Sequence, residues 1–239
     1  MRREFERQQS LLETAALSRA QVVANWLLLL ASRLADFDGG LWDPCLTECD
    51  ELDADSREFE TQGLQMIMRL RPAGTELRKA LLLTNSWPVL RQAVRLAERI
   101  SEVASEFSYV QDFPVPALLP AVARATGDVL TAGIRTVRDW DEDSCRSVMH
   151  AAAIVRRQCT TLQQQLTEQL RGQAEDLPWV LRLQMQAEWL AMIADGAAAF
   201  AEDVRRAVAA CPASQISMAF TADDDLPAED WGIRETPRV

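Results

Sequence analysis

The sequence predicts an all-α protein of six long helices, built as two tandem three-helix bundles. Apolar residues recur at spacings of three and four along six segments, which sets them on one stripe of each helix. No segment alternates apolar and polar residues with the conviction of a strand. The plan also repeats: with the chain shifted by 100 residues the third and sixth helices coincide, Leu90 on Leu190, Val94 on Ala194, Ala97 on Ala197, Ile100 on Phe200 and Glu102 on Glu202.

The first helix carries Leu12, Ala16, Ala20, Val23, Leu27, Leu30 and Leu34 on its stripe and should end between Asp36 and Gly40, where Gly39-Gly40 stops a helix. The second should run from about Pro44 to Arg71, with Pro44 in the first turn and Asp43 as its cap. Pro72 and Gly74 punctuate the next turn. A third segment spans about Thr75 to Phe107, and Pro88, preceded by Asn85 and Ser86, predicts a kink or short break inside it. Residues 108–116, with two prolines, read as the connection between the halves, so a first unit at 1–108 and a second at 115–211 are expected.

The second half follows the same order. Helix four is expected from Ala117 to Trp140, a polar turn at Asp141–Ser144, and helix five from Cys145 to Arg171 with Val148, Ala152, Val155, Cys159, Leu162 and Leu166 in register. Helix six, from Leu177 to Ala210, has Leu183, Ala187, Leu190, Ala194, Ala197, Ala201, Val204 and Val208 on its stripe. Residues 212–239 are acidic, with Asp223-Asp224-Asp225 and Glu229-Asp230, and should form a disordered tail; Phe220 and Trp231 give it two side chains that could dock on a partner.

Composition narrows the function. The 239 residues carry a net charge of −11, which argues against a nucleic-acid partner and against electrostatic docking on anionic lipid. The most apolar run, Val22 to Ala31, is interrupted by Asn25 and falls short of the roughly 20 apolar residues a membrane span requires. The amino-terminal residues lack the apolar stretch of a signal peptide, so the expected compartment is the cytoplasm. Five cysteines, Cys45, Cys49, Cys145, Cys159 and Cys211, are an odd number and are expected to be reduced, mostly buried apolar residues. Lys79 is the only lysine, a compositional bias without functional weight.

Enzymatic chemistry finds no seat. His150 is the only histidine, so no histidine cluster can hold zinc or a di-iron pair. No glycine-rich phosphate loop and no nucleophile elbow is present. Trp26, Trp87 and Trp189 read as packing residues, whereas Trp42 and Trp140, near inter-helix turns, could mark a partner surface.

Several short motifs occur in an informative order. Leu70-Arg-Pro-Ala-Gly-Thr-Glu-Leu-Arg78 resembles the turn between the second and third helices of the PhoU family of phosphate-signalling regulators, with Pro72, Leu77 and Arg78 in place and Glu76 standing for an aspartate. Met1-Arg-Arg-Glu-Phe5 resembles that family's opening. Leu52-Asp53 and Phe59-Glu60 resemble elements of its second helix. Leu190-Ala-Met-Ile-Ala-Asp195 and Ala201-Glu-Asp-Val204 resemble its sixth.

The resemblance implies a non-catalytic, homodimeric adaptor of phosphate uptake and phosphate-starvation signalling. Its implied partners are a phosphate transporter's ATP-binding subunit and a sensor histidine kinase. The alternative is a helical scaffold that kept the fold and lost metal binding and phosphate signalling. The family also implies an acidic pair, i and i+4, on the third and sixth helices, where two carboxylates on one face can share a divalent or ferric ion. Here those positions hold Arg91 and Arg95, and Ala191 and Asp195, while the fifth helix has Ala151-Ala-Ala153. Metal binding is therefore expected to be weak or lost, with Glu98, Glu102, Asp195 and Asp53 as the remaining candidate ligands. Arg91, Arg95, Glu76 and Arg78 are the candidate partner contacts.

Overall fold

A computed structural model describes residues 2–36, 43–107, 116–169 and 177–210. They form α1 (Arg2–Asp36), α2 (Asp43–Leu70), α3 (Gly74–Phe107), α4 (Leu118–Asp139), α5 (Glu142–Gln169) and α6 (Leu177–Ala209). No strand occurs among the described residues, and no helix among them is long and apolar enough to cross a membrane. The connection at 108–115, Trp42, Cys211 and the acidic tail lie outside the described residues, as do the side chains of Leu30, Leu34, Cys45 and Cys49.

The apolar stripes explain the packing. Leu12, Ala16, Ala20, Val23 and Leu27 of α1 are all buried, and so is the whole predicted stripe of α5. Within the first unit α2 lies chiefly along α3, and within the second α5 lies along α6. The units join through α1 against α4 and α3 against α6, so these four helices form the centre and α2 and α5 the flanks. Buried side chains from all six helices belong to one continuous core.

Small residues set the closeness of that join. A Cβ on Gly127 of α4 would lie 2.7 Å from the Ala24 Cβ and 2.9 Å from the Ala24 Cα of α1. Within the second unit, a Cβ on Gly133 of α4 would lie 3.0 Å from the Ala197 Cβ of α6. Lys79 at the start of α3 covers the ring of Trp140 at the end of α4, 4.9 Å from the ammonium to the ring centroid, a cation–π contact. Trp140, expected near a partner surface, thus helps tie the two units together.

The chain reverses by left-handed residues. Arg71, φ +46°, follows α2 and donates its N–H to the Ile67 carbonyl at 3.0 Å; Gly74, φ +56°, opens α3. Trp140, φ +48°, ends α4 and donates to the Thr136 carbonyl at 2.9 Å. The polar turn expected at Asp141–Ser144 is shorter than that, because α5 already begins at Glu142. Asp141 is its cap, accepting the Ser144 N–H at 2.8 Å and the Ser144 hydroxyl at 2.8 Å.

Pro88 does not break α3, which is helical from Gly74 to Phe107 with the proline inside it. The ring removes one N–H, but α3 packs on α1, α2 and α6, and that burial outweighs one lost hydrogen bond. Ser86 is no cap: its hydroxyl bonds back to the Leu83 carbonyl at 2.6 Å, a mid-helix pattern. Trp87, fully buried, stacks on Phe59 of α2 at a centroid distance of 4.9 Å and an interplanar angle of 14°.

Cys145 and Cys159 are free, buried thiols, and burial pushes both up to about 11, so they are uncharged at neutral pH. One core residue breaks the apolar pattern. Gln186 of α6 is fully buried, and neither atom of its amide meets a hydrogen-bond partner among the described residues. Replacing it by the similarly shaped methionine should raise stability by about 1 kcal/mol, because an unpaired buried amide is removed. A lower melting temperature for Gln186→Met would show that the amide is satisfied in solution.

Candidate functional site

Of the residues singled out from the sequence, Asp53, Arg91 and Arg95 lie on a lateral face of the first unit and Asp195 on one of the second, and on both faces arginines meet carboxylates. In the first unit α2 supplies the acids. Asp53 pairs with Arg57 one turn on and with Arg95 of α3 at 3.7 Å. Glu60 pairs with Arg91 of α3, and Asp55 with Arg19 of α1. The Arg19 guanidinium also sits 6.0 Å from the Phe59 ring centroid, so the polar face adjoins the Phe59–Trp87 stack.

In the second unit the signs are exchanged. The middle helix, α5, contributes the cation: Arg156 pairs with Glu188 at 3.3 Å and with Asp195, both on α6. Arg95 and Asp195 correspond under the 100-residue repeat, and each closes the same pair of helices with opposite charge. Glu202, further along α6, is held on its own helix by Arg205 at 2.7 Å and Arg206 at 3.1 Å, and these bonds hold its carboxyl down at about 2.

Arg91 and Arg95, expected to serve a partner, therefore face the chain's own Glu60 and Asp53. Glu76 is half-buried in the first turn of α3, where a negative charge favours the helix dipole. Arg78 is exposed and forms no ion pair with the described residues.

The acids considered as metal ligands do not make a donor set. Asp53 and Asp195 are engaged by guanidinium groups, and they belong to different faces. Glu98 and Glu102 share one side of α3, and no three acidic, histidine or cysteine side chains converge to hold an ion among the described residues. Partial burial raises Glu98 above the usual carboxylate range; Glu102, Asp50 and Asp53 add to the rise and Arg95 opposes it. The described residues thus do not fit the site of paired carboxylates sharing an ion that the sequence resemblance implied. Protein purified without chelators is expected to carry at most substoichiometric divalent or ferric metal by elemental analysis. A stoichiometric ion lost in Glu98→Gln or Glu102→Gln would restore the third-helix site.

The Glu98 environment gives a signed pH effect. Its folded pKa lies above its unfolded value, so in acid the group is neutral and costs nothing, and its charge becomes destabilising as pH rises through the carboxylate range. Glu98→Gln should stabilise the protein by about 0.3 kcal/mol at neutral pH, the scale of a like-charged i, i+4 pair, and by nothing below both pKa values. Thermal melts of both proteins at acidic and neutral pH measure the difference; a gain that is the same in acid excludes titration as its cause.

The interhelical pairs of Arg156 escaped the sequence reading because its partners lie 32 and 39 residues away. The repeat held one usable sign of them: the charge reversal from Arg95 to Asp195 calls for a reversed charge on the neighbouring helix.

Comparison with known proteins yields likeness at the level of structure. No protein-family model matches the sequence, and no curated protein matches it. The structure superposes on the crystal structure of PhoU from Pseudomonas aeruginosa with a TM-score of 0.78 at 17% identity, covering 88% of this chain and 100% of that one. It superposes on the phosphate transport system regulatory protein PhoU from Streptococcus pneumoniae with a TM-score of 0.73 at 14% identity, covering 85% of this chain and 96% of that one. The chain has a PhoU-like fold.

Proposed function

We propose that this chain is a non-catalytic regulatory adaptor of phosphate uptake and phosphate-starvation signalling, working in the cytoplasm through protein–protein contacts. The supporting observation is the match in architecture over the whole length of a PhoU structure, joined to the order of motifs from Pro72 to Arg78 and from Leu190 to Val204. Its partners on this reading are a phosphate transporter's ATP-binding subunit and a sensor histidine kinase, and it acts as a homodimer. Regulation by docking suits a molecule whose long helices expose broad faces.

The test is a deletion strain grown in ample phosphate. Phosphate uptake and starvation-gene output should rise, and the tagged protein should retain the transporter's ATP-binding subunit. Unchanged output with neither partner retained would leave the second reading, a helical scaffold that kept the fold alone. One observation favours that second reading: the acids of both lateral faces are neutralised internally by Arg91, Arg95 and Arg156.

A further inference from the structure

A groove of about 680 Å³ runs between α4 and α5 on the outer side of the second unit. Its floor is made of small and branched apolar side chains: Ala125, Val129 and Ala132 from α4, and Ala151, Ile154 and Val155 from α5. Ile154 is 37% exposed and lies beside the buried stripe of its helix, whose Val155 reaches the groove floor. From Ala125 to Asp139 the α4 wall is about 20 Å long, roughly four helical turns. Two helices with small side chains facing a common trough leave room for a third helix at close approach.

Carboxylates outnumber cations in the rim. Asp128 and Asp139 on α4 and Asp141 and Asp143 at the start of α5 line the groove, and Arg135 is its one guanidinium. Asp139 has Arg138 at 3.3 Å and Asp143 has Arg146 at 3.0 Å, but Asp128 makes no ion pair with the described residues. Deeper in the groove the Gln158 side-chain oxygen is shielded from solvent and has no donor. An apolar floor, a negative rim and an unmet acceptor ask for an apolar stripe flanked by cationic donors.

We infer that this groove is a docking site for a cationic amphipathic helix of another protein. Charge selects this occupant over the chain's own. A second copy would bring a molecule of net charge −11 to a negative rim, and the segment 211–239 carries three consecutive aspartates at its centre. The floor would bury the partner's leucine-type residues at i, i+3, i+4 and i+7, while Asp128 and its neighbours would receive lysine or arginine. The inference deepens the adaptor reading by giving one partner's chemistry. The two can fail separately, since the peptide experiment reads the groove and phosphate uptake reads the pathway.

The experiment uses the full chain with labelled methyl groups and a synthetic helix of about four turns, leucines on one stripe and lysines elsewhere, carrying a spin label. A control peptide has the same leucines with glutamates. Expected are selective broadening of the Val129, Ala151, Ile154 and Val155 methyls and affinity at least about tenfold above the control's. Ala151→Phe, which fills the trough, should weaken binding about tenfold, and Asp128→Asn with Asp143→Asn about threefold, with a shallower salt dependence. The charge variants leave the apolar floor intact, so they decide the matter even where the phenylalanine perturbs folding. Broadening centred elsewhere, or affinity unchanged in the charge variants, overturns the inference. Binding seen only after removal of residues 211–239 would make the tail the occupant. Self-association abolished by Ala151→Phe would make it a second copy. Either result overturns the inference as well.

Discussion

Replacing Gly127 by valine is expected to lower stability by about 3 kcal/mol, or about 10 °C in melting temperature for a chain of this size. The position faces backbone: the first carbon of any side chain would lie 2.7 Å from the Ala24 Cβ and 2.9 Å from its Cα. Ala24 cannot step aside as a flexible side chain would, so α1 and α4 must separate. That contact joins the two three-helix units, and the loss should therefore reach the whole molecule. Alanine at 127 is the sharper probe, because two effects of opposite sign compete. In a mid-helix site alanine gains about 1 kcal/mol over glycine from backbone entropy. The close contact should exceed that gain, making Gly127→Ala net destabilising, and Ala24→Gly should restore part of the loss in a double-mutant cycle. A stabilised Gly127→Ala protein would place α1 and α4 further apart than described.

Trp87→Ala should be comparably severe, at about 4 kcal/mol from lost burial and the cavity left behind. The side chain is fully buried and stacked on Phe59, so α3 loses its largest anchor to α2. Trp87→Phe should recover most of the loss: it keeps an aromatic face for Phe59 and removes an indole N–H that has no acceptor among the described residues. Chemical denaturation followed by circular dichroism measures both. Because Trp87 precedes Pro88, the result also tests α3 itself. A loss in Trp87→Ala below about 1 kcal/mol would be the mark of an exposed ring and of a helix broken at the proline.

Helix number, order and core faces were legible in the sequence because burial imposes a period on the residues. Every residue of the predicted α5 stripe is buried, and on α6 only Val208 is less than fully so. Local chemistry was less decisive. Pro88 predicted a kink or short break, and α3 runs through it without a break, packed on α1, α2 and α6. Asp141 looked like part of a turn and is the cap that starts α5. The candidate site was the least legible part. Arg91 and Arg95 are on α3 as predicted, but their partners Glu60 and Asp53 are fixed by the rotation of α2 against α3, which no local spacing encodes. Gln186 occupies a core position that a polar side chain gave no reason to expect.

The exchange of signs between the two lateral faces bears on how a chain of two similar halves keeps its helices with their own partners. Both halves offer helices of similar length and apolar spacing, so the hydrophobic pattern alone would admit hybrids during folding. Were α2 to settle along α6, Asp53 and Glu60 would approach the acids at Glu188 and Asp195. Were α5 to settle along α3, Arg156 would approach Arg91 and Arg95. Each native pairing is attractive and each hybrid brings like charges together, at a cost of the same small size as the native pair's gain. The arginines thus give each flanking helix a modest electrostatic preference for its own half.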